Sequence, residues 1–117
     1  MIKPIYRIVK SLVAENAYTA WLEFDAKHPL YRGHFPGMPV TPGAVLLQTA
    51  EELIGVFSEQ PYKLTGAKQL KFLRMHHSGT PLRFDISLEE GTQPCAAKIV
   101  ICDDLGAISK MTVELSF

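Results

Sequence analysis

Apolar and polar residues alternate over much of this 117-residue chain, which is the pattern of strands that bury one face. Residues 5–13 and 17–24 are rich in β-branched and aromatic side chains, and the polar residues 14–16 between them predict a turn. Four further strands are predicted at residues 63–76, 82–89, 95–102 and 107–117. The Asp-Asp-Leu-Gly sequence at 103–106 indicates that the last two strands form a hairpin.

One continuous apolar stretch in the middle of the chain predicts a helix. Residues 43–57 contain no proline and several strong helix formers, and Pro61 lies just beyond the predicted end. Apolar side chains cover most of the helix circumference, so we expect protein to surround it. An antiparallel sheet has to cover its apolar face, and this helix is the only candidate. The pattern therefore predicts an α+β fold over residues 1–117, a single domain in which an antiparallel sheet wraps around one long central helix.

The charge balance argues against several classes of binding protein. Twelve basic residues balance twelve acidic ones, so no electrostatic footprint for nucleic acid or an anionic membrane is present. The longest charge-free run is broken by glycine and proline and cannot span a bilayer. The N-terminal residues lack an apolar block of signal-peptide length. We expect a cytoplasmic protein.

The cysteine and histidine spacings do not predict a metal site. Cys95 and Cys102 are seven residues apart on one predicted strand, which places them on opposite faces and favours two free thiols. His76 and His77 are neighbours on a strand and also point to opposite faces, an awkward arrangement for ligating one ion. We expect no metal and no cofactor of the protein's own.

The loop at residues 28–43 contains a candidate acid–base residue. Three glycines and three prolines lie between positions 31 and 43, and they constrain the backbone around His34. Histidine is the side chain best suited to proton transfer near neutral pH. His34 is therefore a candidate for proton transfer, although a lone loop histidine is more often structural.

The predicted helix begins directly after a proline. The first N–H groups of a helix have no partner inside the helix and lie at the positive end of its dipole. Glycine at this position lets a ligand oxygen approach the backbone closely. The N–H groups of Gly43 and Ala44 could thus hold a carbonyl oxygen that gains charge during a reaction. The alternative is that Pro42 and Gly43 simply start the helix.

The sequence GHFPGMPVTPGAVLLQ at residues 33–48 closely resembles the signature of the 3-hydroxyacyl-acyl carrier protein dehydratases, which adopt the hotdog fold. The family pattern is a His-Phe-Pro-Gly turn, a Pro-Gly pair at the helix start and an acidic residue five positions after that glycine. His34, Pro42 and Gly43 match it at the right spacing. Residues 67–82 resemble a later strand pair of the family more weakly.

The resemblance implies an active site between two chains. In that family a dimer forms with a continuous sheet, and the acyl chain enters on the phosphopantetheine arm of an acyl carrier protein. The histidine takes the proton from Cα, the glycine N–H holds the thioester carbonyl, and the acid helps the hydroxyl to leave as water. The resemblance makes His34, Gln48 and Gly43 the candidate catalytic residues. The residues expected to contact substrate are Phe35, Pro42, Ala44 and Glu52. A homodimer, or a higher oligomer of dimers, is the implied assembly.

Gln48 stands where the family has its acid. A carboxamide forms hydrogen bonds but does not titrate, and losing a general acid typically costs about 10²- to 10⁴-fold in rate. His34 could perform both proton transfers. Alternatively, Glu52 lies one turn further along the same helix face, and Glu51 is a poorer substitute.

Three functions are compatible with these residues. The first is dehydration of 3-hydroxyacyl thioesters in fatty-acid, polyene or related lipid synthesis. The second is a thioesterase of the same fold, in which Gln48 positions the attacking water. The third is a non-catalytic module that binds acyl carrier protein, or a partner subunit in a heterodimer whose other chain supplies the missing acid. Basic residues could dock an acidic carrier or form a solvated basic edge; they are Arg32, Lys68, Lys71 and Arg74.

Overall fold

The computed structural model describes residues 5–25, 27–28, 40–77, 80–89 and 95–116. Within these ranges the chain forms eight strands and one helix. The elements are β1 (Tyr6–Ala14), β2 (Ala17–Phe24), β3 (Val40–Thr41), α1 (Gly43–Ser58), β4 (Lys63–Phe72), β5 (His76–His77), β6 (Leu82–Glu89), β7 (Cys95–Asp103) and β8 (Gly106–Ser116). The predicted helix and all but one of the predicted strands are confirmed to within one residue at each end.

Six strands form one antiparallel sheet in the order β1-β2-β6-β7-β8-β4. Strands β1 and β4 are its two edges, and β3 pairs with β5 in a separate two-stranded ladder. The predicted hairpin at 103–106 joins β7 to β8 and contains Gly106 at a φ of 128°, a left-handed backbone that favours glycine. No helix among the described residues is both long and apolar enough to cross a lipid bilayer.

The core lies between the inner face of the sheet and one side of α1. Strand β6 shows the alternation most clearly, with Leu82, Phe84, Ile86 and Leu88 buried and the intervening residues exposed or half-buried. The helix contributes its own buried side chains, which are Leu46, Thr49, Ala50, Leu53 and Ile54. These groups join one continuous hydrophobic cluster. The predicted architecture, an antiparallel sheet around one helix, is confirmed.

The expectation that protein surrounds the helix is wrong for one side of the single chain. Ala44, Gln48, Glu52 and Val56 recur every four residues and are all exposed. Val56, an apolar side chain, is 62% exposed. The sheet reaches only the buried side of α1, so this stripe faces outward. We refer to it below as the outer helix stripe.

The predicted strand 63–76 is also wrong as a single element, because the chain leaves the sheet after Phe72. The N–H groups of Leu73 and Arg74 both donate to the carbonyl of Ile108, at 2.7 and 3.3 Å, which interrupts the regular ladder with β8. The Arg74 guanidinium then donates to both carboxylate oxygens of Asp103, at 3.0 and 2.7 Å, and to the carbonyl of Gly106 at 3.0 Å. Segment 73–75 is thereby fastened to the β7–β8 turn instead of continuing the strand.

The Arg74–Asp103 pair gives the stability of the fold a testable pH dependence. Hydrogen bonding to Arg74 lowers the pKa of Asp103 below its ordinary value of 3.8. Because the folded pKa is depressed, the pair stabilises the fold fully above about pH 4, and this stabilisation is lost as pH falls through the folded pKa. We expect Asp103→Asn to lower the melting temperature at pH 7 by about 1–5 °C, and the difference from wild type to shrink below about pH 4.

A matched control is available on the same sheet. Asp85 pairs with Arg83 at 3.0 Å, but its side chain is 38% exposed, whereas that of Asp103 is 9% exposed. Asp85→Asn should therefore shift the melting temperature by less than about 1 °C. Equal shifts for Asp103→Asn at pH 3 and pH 7 would contradict an ionic contribution.

Candidate active site

Helix α1 begins at Gly43 with two amide groups that the helix itself cannot satisfy. Pro42 precedes the helix in an extended conformation, and its carbonyl accepts from the N–H groups of Val45 and Leu46 at 3.0 and 3.2 Å. The N–H groups of Gly43 and Ala44 come before these first bonds. No side chain caps the helix at Pro42. Two donors at the positive end of the helix dipole are thus suited to hold an oxygen that carries negative charge.

A pocket of about 530 Å³ opens at this helix start. Its lining residues are Thr41, Pro42, Gly43, Leu46, Phe72, Leu73, Arg74, Met75 and His76. One wall is the backbone at the start of α1, and the opposite wall is the segment that follows β4. The pocket lies within the size range of small-molecule sites and combines polar backbone donors with apolar side chains. Such a lining fits a ligand with a carbonyl group attached to an apolar chain.

The ring of Phe72 packs closely against Gly43. A Cβ atom added there would lie 2.8 Å from two carbon atoms of the Phe72 ring, closer than carbon atoms pack. The ring therefore lies directly against the first helical residue and forms part of the pocket wall. Phe72 is itself half-exposed, so this wall faces outward from the single chain.

A buried Thr–His pair, which the sequence interpretation missed, stands beside the pocket. Thr41 Oγ1 and His76 Nδ1 are 2.7 Å apart, and His76 Nε2 lies 2.6 Å from the carbonyl of Thr80. The imidazole also packs edge-on against Phe24, with ring centroids 5.0 Å apart. The sequence predicted only that His76 would not bind metal, and no metal-ligating cluster is found among the described residues. Thr41 and His76 are paired in the two-residue β3–β5 ladder. A ladder of this length is too short to produce an alternating pattern of apolar and polar residues in the sequence.

The predicted site residues fall into three groups. Pro42 and Gly43 line the pocket, and Ala44 follows them on the exposed side of the helix. Gln48 lies on the outer helix stripe, away from the residues that line this pocket. His34 and Phe35 lie outside the described residues, so their predicted roles stay predictions.

Glu52 lies in a second pocket of about 730 Å³ at the other end of α1. The Tyr6 hydroxyl donates to Glu52 Oε1 at 2.9 Å. Burial raises the pKa of Tyr6, and the hydrogen bond and negative charge of Glu52 raise it further. Tyr6 therefore stays protonated and keeps β1 attached to the helix. Glu51 has a similar structural role, because its carboxylate accepts from the N–H of Leu64 at 2.8 Å.

The single chain does not bring the two ends of the helix to one point. Glu52 lies nine positions after Gly43, which is roughly 13 Å along the helix axis at 1.5 Å per residue. A thioester carbonyl held at Gly43 would be far from the carboxylate of Glu52. Glu52 could reach such a ligand only from a second chain.

Comparison with known proteins identifies the family of the chain. Residues 10–109 match the model of the ApeI-like family, described as ApeI dehydratase. The 3-hydroxyacyl-[acyl-carrier-protein] dehydratase FabZ of Alkaliphilus metalliredigens is 28% identical over 100 residues, which cover 77% of this chain and 68% of that protein. The FabZ of Rhizorhabdus wittichii is 28% identical over 120 residues, covering 92% and 76%.

Solved structures share the fold. A chain of the dehydratase heterocomplex ApeI:P from Xenorhabdus doucetiae superposes with a TM-score of 0.79 at 18% identity, over 99% of this chain and 100% of that one. A hypothetical thioesterase from Streptococcus pneumoniae, solved with coenzyme A, superposes with a TM-score of 0.66 at 14% identity, over 94% and 83%. At these identities the likeness establishes the hotdog fold, which the resemblance implied. Since the family model matches most of the chain, this protein belongs to the ApeI-like dehydratase family of hotdog proteins.

Proposed function

We propose that this chain is one half of a cytoplasmic dehydratase that removes water from 3-hydroxyacyl thioesters carried on the phosphopantetheine arm of an acyl carrier protein. The pathway class would be fatty-acid, polyene or related lipid synthesis. The observation that carries the proposal is the start of α1, where Gly43 lines a pocket with largely apolar walls and the N–H groups of Gly43 and Ala44 precede the first bonds of the helix. Family membership supplies the reaction type.

The chemistry assigned to this chain is enolisation of the thioester. The N–H groups of Gly43 and Ala44 would hold the thioester oxygen as it gains negative charge, which acidifies the protons on Cα. His34 would remove one of these protons. The electron pair left on Cα then forms the double bond to Cβ, and the hydroxyl leaves Cβ. A proton delivered to that hydroxyl completes the water molecule, and the product is an enoyl thioester.

Protonation of the leaving hydroxyl is the step for which this chain has no carboxylic acid at the family's position, where Gln48 stands instead. Gln48 can orient the hydroxyl but cannot protonate it. Glu52 is already hydrogen-bonded to Tyr6 and lies roughly 13 Å along the helix from Gly43. We therefore assign the acid to a second hotdog chain, whose helix would face the pocket across the interface.

One edge of the sheet, strand β4, supports a partner different from this chain. The described strand β4 contains Lys63, Lys68 and Lys71 and no acidic residue. Lys68 has a long contact of 3.8 Å with Glu114 on β8, and its side chain remains 59% exposed. Two copies of such an edge would bring lysines together, and lysine on an edge strand disfavours self-pairing. A partner edge with acidic side chains would instead be attracted.

Apolar side chains beside this edge are exposed in the single chain and would be buried by a partner. Four large apolar residues at the end of β4 and just after it are 40–63% exposed in the single chain, namely Leu70, Phe72, Leu73 and Met75. Phe72, Leu73 and Met75 line the pocket at the helix start. A chain paired along β4 would bury this patch and close the outer side of the pocket at the same time.

The reaction is tested with 3-hydroxyacyl and saturated acyl pantetheine thioesters, using the purified complex with its partner. We expect an enoyl product from the hydroxyacyl substrate and no release of free thiol from the saturated one. His34→Ala should lower the dehydration rate by about 10²- to 10⁴-fold, because the base is lost. His28→Ala, which removes another loop histidine, should leave the rate within about threefold of wild type. Thiol release without an enoyl product would point to a thioesterase and overturn the proposal.

The position of the acid is tested by Glu52→Gln. If the partner supplies the proton, this substitution should change turnover of the complex by less than about threefold, the same as Glu59→Gln in the same pocket. Tyr6 can still donate to the carboxamide oxygen that the substitution introduces, so the anchoring of β1 is kept. A loss of about 10²-fold or more would assign the acid to Glu52 instead.

The partner assignment is tested by the salt dependence of association. Self-association of lysine-bearing edges should strengthen as salt screens their repulsion, whereas pairing with an acidic edge should weaken. We expect sedimentation to show that the chain alone associates weakly at about 50 mM salt and more strongly at about 500 mM. Its complex with a hotdog partner should show the opposite trend. A tight homodimer at low salt would contradict the heteromeric assembly.

A further inference from the structure

A buried hydrogen bond between Thr41 and His76 links the two walls of the pocket at the helix start, and a part-buried bond continues from His76 to Thr80. Thr41 is 4% exposed and His76 is 2% exposed, and both line the pocket. The bonds run from Thr41 Oγ1 to His76 Nδ1 and from His76 Nε2 to the carbonyl of Thr80. The imidazole is a buried titratable group for which the proposed reaction has no use.

The partners fix the tautomer of the imidazole. A carbonyl oxygen only accepts, so the ring atom 2.6 Å from Thr80 O must carry a hydrogen and donate. In the neutral ring Nδ1 then has a free electron pair, and the Thr41 hydroxyl donates to it over 2.7 Å. The Thr41 hydroxyl thus donates to Nδ1 of the ring, and Nε2–H of the ring donates to the carbonyl of Thr80. We refer to these two hydrogen bonds as a series.

This series lies next to the amides that are proposed to hold the thioester. Thr41 is separated from Gly43 only by Pro42, whose ring restricts φ, so a displacement of Thr41 is passed on to the helix start. On the other side, His76 ends the segment that carries Met75 and Arg74 along the opposite wall. Among the residues that the structure describes, the β3–β5 ladder pairs these walls through two residue pairs.

We infer that Thr41 and His76 are positioning residues, which hold the N–H groups of Gly43 and Ala44 at a fixed distance from the opposite wall of the pocket. The inference rests on the proposed function and extends it. An apolar pair of the same volume would fill the space but would let the two walls slide, whereas two short hydrogen bonds fix both distance and direction. The edge-on contact with Phe24 ties the ring to the core sheet. A displacement of about 1 Å at a catalytic group can cost up to about 10²-fold in rate.

The test compares Thr41→Val, which removes the hydroxyl at nearly constant volume, with Thr41→Ser, which keeps it. In the complex with the partner, and well below the melting temperature, we expect Thr41→Val to lower kcat by about 10- to 100-fold with KM within about threefold. Thr41→Ser should stay within about threefold of wild type in both. An unchanged kcat for a folded Thr41→Val protein whose melting temperature has fallen would show a structural role only and overturn the inference.

Nuclear magnetic resonance provides a readout that needs no activity. The wild-type imidazole of His76 should show protonated Nε2 and unprotonated Nδ1, and Thr41→Val should move the amide signals of Gly43 and Ala44 while Thr41→Ser leaves them in place. The opposite tautomer in wild type would overturn the inference even if Thr41→Val did not fold. If wild type shows no dehydration but these amide signals respond as expected, the positioning role stands and the proposed function fails.

Discussion

Two backbone N–H groups at the start of α1 are the feature on which the proposed site depends. Gly43 and Ala44 precede the first bonds of the helix, and the helix is fixed because its inner side is buried in the core. Amides held in this way are already oriented and need no rearrangement when charge develops on a bound oxygen. The other parts of the site are arranged around this helix start. The ring of Phe72 lies close against Gly43, and the segment after Phe72 forms the facing wall.

The sequence predicted those parts of the fold that depend on local patterns. Strands such as β6 were found because their side chains alternate, and the helix start because proline and glycine interrupt the apolar stretch at 42 and 43. The end of β4 was missed because it depends on Ile108 and Asp103, which lie far away along the chain. The Thr41–His76 pair was missed for the same reason, since a two-residue ladder leaves no periodic signal.

The same distinction, between features set by local sequence patterns and features set by distant residues, applies to the candidate site. Pro42 and Gly43 were identified from the motif and lie at the pocket. The outward direction of Gln48 could not be read from the helix pattern, because apolar side chains occupy both the buried and the exposed side of α1. An exposed Val56 and an exposed Gln48 on one stripe become understandable if a second chain covers part of the helix. In the proposed assembly, the lysines of β4 and the exposed apolar patch beside it would require a partner with an acidic edge and an apolar face.

The most direct test of this account follows the amide signals of Gly43 and Ala44 while a stable 3-hydroxyacyl pantetheine amide is added to the complex. Hydrogen bonding of the ligand carbonyl should shift both amide protons downfield in proportion to occupancy, and amides near Val56 at the far end of the helix should move much less. A ligand that binds while both signals stay in place would show that its carbonyl lies elsewhere, and would contradict the central role assigned to the helix start.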